Sequence, residues 1–342
     1  MNLVKIDNLL TYDIFCSNSE RISMADISRS LKIGIIGAGG MVGGPHKKYF
    51  ESKGYKRGTN LFCYDTSPTL GLFDDITQAD IVWVAVPTPP NPDGSCNISI
   101  VESVVSKLHN KIVVIKSTVP PGTTEYLQKK YPDNMFLFNP EFLTEAQAWE
   151  DFLKPSRQIV GFTEQSRDVA LTVLNLLPPS FYQSPWASST YVIRGHSATD
   201  AEMIKYLSNV FGAMKVGFAN MAYDVCDAIK DEGLDVDYER VRDALGADVR
   251  IGPAWLDVSH GSYRGFGGYC FPKDLLAYIH RISNSMTSKL SDTKMSILVR
   301  AHNFFMSLWG YNVNLLDAQE LTVEDVSKHD KQIILDKKRE IK

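Results

Sequence analysis

The chain has 342 residues, 44% of them hydrophobic and 22% charged, and its 36 basic and 40 acidic residues give a net charge of −4. This composition excludes disordered, collagen-like and coiled-coil proteins, and the length predicts about two domains with a sizeable core. The weak negative charge gives no electrostatic basis for binding nucleic acid or an anionic membrane. The sequence contains no run of about 18 apolar residues, and its first thirty residues include several acids, so we expect no membrane span, no signal peptide and a cytoplasmic location.

Short β-rich runs alternate with helix-like stretches over 31–196. Strands are predicted within 32–37, 60–65, 80–87, 111–117, 135–139 and 157–161, with a last one at 191–194. Several runs are almost continuously apolar, as in strands that are buried on both faces of a parallel sheet. The pattern predicts an α/β fold, a Rossmann-like doubly wound sheet, preceded by an N-terminal extension at 1–30.

The pattern changes near residue 197, where apolar residues begin to recur at helical spacing. The proline-free stretch 199–230 predicts one long central helix, or two helices that meet near Gly212 or Gly217. Another helix is predicted at 238–245, followed by a Gly-rich segment at 265–274 and a helical pattern at 297–309. We therefore expect a small, mostly helical domain at 197–285 and a short helical tail at 286–342.

A Gly-rich segment, Gly37-Ala-Gly-Gly-Met-Val-Gly43, lies between the first predicted strand and a helix. Small residues there let backbone N–H groups and the helix N-terminus approach a pyrophosphate. Asp65 ends the next strand, where a carboxylate accepts a ribose hydroxyl and repels the extra phosphate of NADP. We expect an NAD site. Because Val42 stands where the third glycine belongs, and Gly43 comes one residue late, we also expect a turn one residue longer than usual.

Five cysteines without paired spacing predict neither a disulfide framework nor a zinc site. Cys270 has the most reactive context, because Gly267 and Gly268 precede it and allow a ligand to approach the backbone. Pro272 and Lys273 suit the first turn of a helix, and a thiol at such a terminus beside a lysine is expected to ionise more easily. The residues alone leave a nucleophile and a buried structural cysteine open.

Lys205 and Asn209 lie four residues apart and share one face of the predicted long helix. Two donors on a rigid helix can stabilise an oxyanion, although a solvated lysine and an incidental asparagine would show the same spacing. Glu141 and Glu145 follow a predicted strand, at the end where open α/β sheets bind ligands. Helix N-terminal charges are the alternative interpretation of these two glutamates.

Six segments of the chain match one family in that family's own order. They are Val86-Pro-Thr-Pro89, Lys116-Ser-Thr-Val-Pro120 with Gly122-Thr123, Asn139-Pro-Glu-Phe-Leu143 with Glu145, Ala201-Glu-Met-Ile-Lys-Tyr206 with Asn209, Arg250-Ile-Gly252 and Gly267-Gly-Tyr-Cys-Phe-Pro-Lys-Asp274. Over 32–282 the chain resembles the UDP-glucose/GDP-mannose dehydrogenase family, most closely its UDP-glucose 6-dehydrogenase branch. Any one segment could arise by chance, but six in order are specific.

The resemblance implies an NAD-dependent oxidoreductase that converts the C6 alcohol of UDP-glucose, or of a related UDP-sugar, to a carboxylate with two NAD⁺. Cys270 would hold the C6 aldehyde as a thiohemiacetal and then as a thioester. Lys205 and Asn209 would hold the C6 oxygen, Asp274 and Thr118 would hold a water, and Glu141 would assist hydrolysis. The resemblance also implies a homodimer built on the long helix, and a role in supplying polysaccharide precursors.

Two further sets of residues follow from the resemblance. The cofactor-binding set is Gly37, Gly39, Met41, Val42, Asp65, Thr88, Thr118, Glu145 and Lys273, with Glu145 near the nicotinamide. The substrate-binding set is Phe142, Leu143, Lys205, Asn209, Arg250, Phe266 and Gly267, with Arg250 reaching the substrate of a neighbouring subunit. No metal is expected.

The chain departs from the family pattern in three further places. The segment 65–80 is short, the spacing from Arg250 to Cys270 is long, and 282–342 lacks the opening of the C-terminal α/β domain that the family places over the nucleotide. Two alternatives therefore stay open. One is a non-catalytic NAD-binding relative, and the other is a β-hydroxyacid-type dehydrogenase, which makes one NADH per turnover and needs no cysteine.

Overall fold

The computed structural model describes residues 31–144, 147–184, 195–260 and 262–327. Ten strands lie in these ranges: β1 (Ile33–Ile36), β2 (Leu61–Tyr64), β3 (Ile81–Val84), β4 (Ile112–Ile115), β5 (Met135–Phe138), β6 (Arg157–Ile159), β7 (Gly161–Phe162), β8 (Tyr182–Ser184), β9 (Ser259–His260) and β10 (Tyr263–Arg264). The main sheet has the order β2-β1-β3-β4-β5-β7. Its first five strands are parallel, and β7 is antiparallel to β5.

The helices in the same ranges are α1 (Gly43–Ser52), α2 (Ser99–Val105), α3 (Thr123–Lys130), α4 (Ala148–Leu153), α5 (Ala170–Asn175), α6 (Ala198–Asp231), α7 (Tyr238–Gly246), α8 (Phe271–Ser285), α9 (Asp292–Asp317) and α10 (Val323–Val326). None of these described helices is both long and apolar enough to cross a bilayer. The sheet with its covering helices therefore precedes a largely helical region centred on α6.

Both faces of the main sheet are buried, as the apolar runs predict. Alternate residues of a strand point to opposite faces, so Ile33 and Ile35 pack with Phe50 of α1, whereas Ile36 packs on the other side with Val101 and Leu127. The doubly wound α/β fold is thus confirmed.

Two details of the sheet differ from the sequence expectation. The run predicted as one strand at 157–161 forms two, because β6 pairs with β8 in a separate parallel pair while β7 turns back beside β5. The strand predicted at 191–194 lies outside the described residues.

The long helix α6 is one helix of 34 residues, without a break at either internal glycine. It begins with a capping box between Ser197 and Asp200. A Cβ at Gly212 would lie 2.5 Å from the Phe271 ring, and one at Gly217 would lie 2.4 Å from the Leu308 side chain. The glycines therefore let α8 and α9 pack closely against α6.

Candidate active site

The Gly-rich segment lies at the carboxyl end of β1. The short segment after β2 forms only two 3₁₀ turns before the chain crosses to β3 on the other side of β1, so the strand order reverses between β1 and β3. Ligands of open α/β sheets bind outside the strand ends at such a point. The structure thus places this segment where a dinucleotide would bind.

Two glycines of this segment are required by close backbone packing. A Cβ at Gly37, whose φ is +82°, would lie 2.2 Å from the Ala85 carbonyl oxygen, and a Cβ at Gly43 would lie 2.1 Å from the Gly37 carbonyl oxygen. Gly43 therefore does the packing expected of the third glycine, and the turn is one residue longer, as predicted. Met41 and Val42 lead directly into α1, whose positive N-terminal end favours the negative charge of a phosphate.

The Asp65 carboxylate lies beside the same loop. Its Oδ2 accepts a hydrogen bond from the Gly39 N–H at 2.9 Å, and its Oδ1 accepts one from the Ser67 N–H at 3.0 Å. Leu70 lies over Gly39, because a Cβ there would be 2.1 Å from the leucine side chain. An oriented carboxylate next to a glycine turn and a helix N-terminus fits the ribose and pyrophosphate of NAD.

The ends of β3 and β4 are tied together next to this loop. The buried Thr88 hydroxyl donates to the Thr118 carbonyl oxygen at 2.8 Å, and Ser117 Oγ accepts from the Val86 N–H at 2.9 Å. These bonds hold Thr88 and Thr118, both predicted site residues, at the same edge of the sheet.

Four predicted catalytic residues meet between β5, α6 and α8. Lys205 Nζ lies 2.7 Å from Glu141 Oε1, and both side chains are buried. Asn209 Nδ2 donates to Asp274 Oδ2 at 2.5 Å, and the Lys273 ammonium pairs with the other oxygen of Asp274. The i, i+4 spacing therefore does direct Lys205 and Asn209 to one cluster.

The Cys270 thiol shares this electrostatic environment, although its ionisation differs from the sequence expectation. Burial raises its pKa to about 11, against the charges of Lys205 and Lys273, which favour the thiolate. The prediction of an easily ionised thiol is therefore wrong. A helix N-terminus and a nearby lysine do not compensate for removing the thiol from water, particularly since the carboxylates of Glu141 and Asp274 oppose a second negative charge.

The Lys205–Glu141 pair stays ionised despite its burial. Loss of water would raise the pKa of the Glu141 carboxyl, but Lys205 lowers it overall, helped by the Leu143 N–H that donates to Glu141 Oε2 at 2.8 Å. Burial likewise opposes the charge of Lys205, and Glu141 followed by Cys270 and Asp274 raises its pKa. The site thus holds a fixed ammonium and a fixed carboxylate in contact.

Phe142 and Leu143 line a cavity of about 170 Å³ beside this pair. The cavity also contains three side chains whose roles the sequence did not reveal. Lys116 donates to Asn139 Oδ1 at 2.8 Å, and burial lowers its pKa to about 7. The Arg157 guanidinium lies 3.9 Å from the centre of the Phe142 ring, and no carboxylate pairs with it in the ion pairs of the described residues.

Lys116 is part of a matched segment, which was the only available signal for it. Nothing in the sequence marked Arg157 as a site residue, because its contacts with the Phe142 ring and with Ser208 Oγ form only on folding. The third side chain, Lys154, lines the same cavity.

The remaining predicted substrate residues have their contacts with other parts of the chain. Phe266 is buried among apolar side chains, and both its backbone N–H and its C=O bond to Asn312. A Cβ at Gly267 would lie 2.2 Å from the Tyr263 hydroxyl, so packing within the chain requires this glycine. Arg250 is exposed and pairs with Asp248 at 2.6 Å. Glu145 lies outside the described residues.

Comparisons with known proteins agree with this architecture. Residues 69–175 match the sequence model of one family domain, described as UDP-glucose/GDP-mannose dehydrogenase family, NAD binding domain. Residues 199–300 match the central domain of the same family. A UDP-glucose 6-dehydrogenase of Rickettsia typhi is 34% identical over 220 residues, which are 62% of this chain and 47% of that protein. The chain therefore spans about half the length of such curated relatives.

Two solved structures extend the comparison to three dimensions. A UDP-glucose dehydrogenase from the hyperthermophilic archaeon Pyrobaculum islandicum superposes with a TM-score of 0.62 and 28% identity, covering 84% of this chain and 71% of that one. A 3-hydroxyisobutyrate dehydrogenase of Mycobacterium tuberculosis gives a TM-score of 0.54 at 15% identity, covering 82% of this chain and 98% of that one. The second likeness shows a shared fold alone.

Proposed function

Because the chain belongs to the UDP-glucose/GDP-mannose dehydrogenase family, we propose that it is an NAD-dependent 6-dehydrogenase of UDP-glucose or a related UDP-sugar. One observation carries this proposal. The Cys270 thiol lies within electrostatic reach of the buried Lys205–Glu141 pair and of Asp274. Oxidation of an alcohol to an acid needs a cation for the developing alkoxide and a nucleophile that retains the aldehyde, and this cluster supplies both.

NAD⁺, bound at the Gly-rich loop beside Asp65, supplies the hydride acceptor for each of two oxidations. In the first, Lys205 and Asn209 stabilise the C6 oxygen as its proton leaves, and a water held by Thr118 and Asp274 takes that proton. Because Lys205 is fixed by Glu141, its charge is in place before the reaction and needs no reorganisation.

The second oxidation depends on Cys270. Its sulfur adds to the C6 aldehyde, so a C–S bond forms while the thiol proton passes to the C6 oxygen. Loss of a hydride and of that proton then gives a thioester, and Glu141 assists the water that cleaves the C–S bond to release the carboxylate and restore the thiol. Because burial raises the pKa of the Cys270 thiol to about 11, we propose that proton loss accompanies C–S bond formation.

The proposal includes a homodimer that covers one face of α6. Large apolar side chains are exposed along this helix at helical spacing: Leu207, Phe211, Phe218, Met221 and Val225. Phe211 and Phe218 line an apolar cavity of about 550 Å³, and Arg250 lies at the same cavity. A second copy of α6 would bury this face and bring Arg250 to the subunit boundary.

Light scattering tests the dimer. Phe218→Glu is expected to give a monomer, whereas Phe73→Glu, which changes an equally exposed phenylalanine in the α/β domain, should leave the dimer intact. A monomeric wild-type chain would refute this part of the proposal.

The activity is tested by the number of NADH formed per UDP-glucose consumed. Two NADH are expected for the wild type and for Cys226→Ser, which alters a half-buried cysteine on the long helix. Cys270→Ser should abolish the second oxidation. One NADH per sugar that is independent of Cys270 would favour a single-step dehydrogenase. NAD⁺ binding without turnover on any UDP-sugar would favour a non-catalytic relative.

A further inference from the structure

Glu202 is a buried acid that none of the catalytic steps above uses. It lies on α6 one turn before Lys205, and its side chain is completely inaccessible to solvent. Its Oε2 accepts from the Gly122 N–H at 2.5 Å, and its Oε1 accepts from the Thr124 N–H at 2.7 Å and from the Thr124 hydroxyl at 2.6 Å. One carboxylate therefore receives three hydrogen bonds from residues about 80 positions away.

All three donors belong to the start of helix α3. The N-cap residue of this helix is Gly122, whose φ is +99° and which has no side chain to satisfy the free N–H groups. Glu202 performs that capping from another helix. The three hydrogen bonds favour its carboxylate form, while burial raises its pKa to about 7. The contact thus fixes the start of α3 to the side of α6.

The loop that leads into α3 carries Thr118. At its other end, the loop is held by the Thr88 hydroxyl on the Thr118 carbonyl oxygen at 2.8 Å. Its second attachment is Glu202, which shares one face of α6 with Lys205 and Asn209 at positions i, i+3 and i+7. The loop that bears Thr118 and the helix that bears Lys205 are therefore connected through this carboxylate.

We infer that Glu202 is a positioning residue, which sets the distance between Thr118 on the sheet edge and the Lys205–Asn209 pair on α6. The inference rests on the proposed function, because Thr118 and Lys205 act there on the same C6 group. Without the carboxylate, the loop would lose its attachment to α6 while the cofactor loop after β1 and the Lys205–Glu141 pair stay in place. A displacement of about 1 Å between reacting groups can reduce the rate by up to roughly a hundredfold.

Glu202→Gln tests this, because glutamine keeps the shape but presents an NH₂ group to one of the three donors. We expect kcat to fall by roughly tenfold to a hundredfold, with the KM for NAD⁺ and for UDP-glucose changing by less than about threefold. The matched control is Glu102→Gln, which alters a half-buried acid on α2. The control should keep the wild-type kcat.

A double-mutant cycle separates positioning from general loss of stability. Thr124→Val removes the hydroxyl donor in the same shape, and its effect on kcat should not add to that of Glu202→Gln, since both break one contact. Additive effects would overturn the inference, as would a wild-type kcat in Glu202→Gln.

Amide hydrogen exchange gives a readout without turnover. Exchange over 122–126 should accelerate in Glu202→Gln and stay at the wild-type rate in Glu102→Gln. Unchanged exchange would overturn the attachment itself. If the wild-type chain shows no turnover while Glu202→Gln still accelerates exchange, the attachment stands and the proposed function is refuted. If the wild-type chain is active and Glu202→Gln keeps the wild-type kcat, the inference alone is refuted.

Discussion

Replacing Lys205 by methionine removes one half of a buried ion pair and is expected to lower both stability and activity. The Lys205 and Glu141 side chains are 4% and 6% exposed, and their charged atoms are 2.7 Å apart. Because Glu141 would be left ionised without its partner in a site with little water, we expect the free energy of unfolding to fall by about 3–5 kcal/mol. Under the proposed function Lys205 stabilises the C6 oxygen, so its loss should lower kcat by roughly a hundredfold to a thousandfold.

Urea denaturation and NADH formation measure the two effects, and a second variant tells them apart. Lys205→Met combined with Glu141→Gln removes the orphaned charge, so stability should return towards the wild-type value while activity stays low. Lys130→Met, which breaks the exposed pair with Glu102, should change stability little. If the free energy of unfolding of Lys205→Met lies within about 1 kcal/mol of the wild-type value, the predicted contribution of the buried Lys205–Glu141 pair to stability is refuted.

Three further predictions concern the cofactor loop and two buried titratable groups. Gly43→Ala should weaken NAD⁺ binding in calorimetry, because its Cβ would lie 2.1 Å from the Gly37 carbonyl oxygen, whereas a Cβ at Gly44 would meet its nearest atom at 3.9 Å and Gly44→Ala should bind normally. Alkylation of Cys270 by iodoacetamide, followed by mass spectrometry, should keep accelerating up to a pH of about 11, and a plateau near pH 8 would contradict its raised pKa. Burial lowers the pKa of Lys116 from 10.5 to about 7, so the unfolded chain binds this proton more tightly than the folded chain. The contribution of Lys116 to the free energy of unfolding should therefore rise with pH between those two values. Lys116→Met should remove this rise, as measured by denaturation at several pH values.

The sequence predicted the elements of the fold well where the signal is local. A run such as that of β3 is apolar at every position and can only be a strand or helix buried on all sides, and its length favours a strand. The regular spacing of apolar residues predicted the long helix, and the positions of Gly37 and Asp65 at the ends of predicted strands marked them as cofactor-site residues. The run at 157–161 was predicted as one strand because nothing local marks the point where its pairing partner changes.

By itself, the sequence determined the first five strands of the main sheet, the long helix α6, the order of the six family segments and the face of α6 that Lys205 and Asn209 share. Only the tertiary structure decided that Glu141 is the partner of Lys205, that Glu202 caps a helix about 80 residues earlier, and that the Cys270 thiol is held protonated. The physical reason is that periodicity and turn chemistry act between neighbours in the chain. Ion pairing and desolvation depend on groups that only folding brings together, and they decide what each side chain of the site can do.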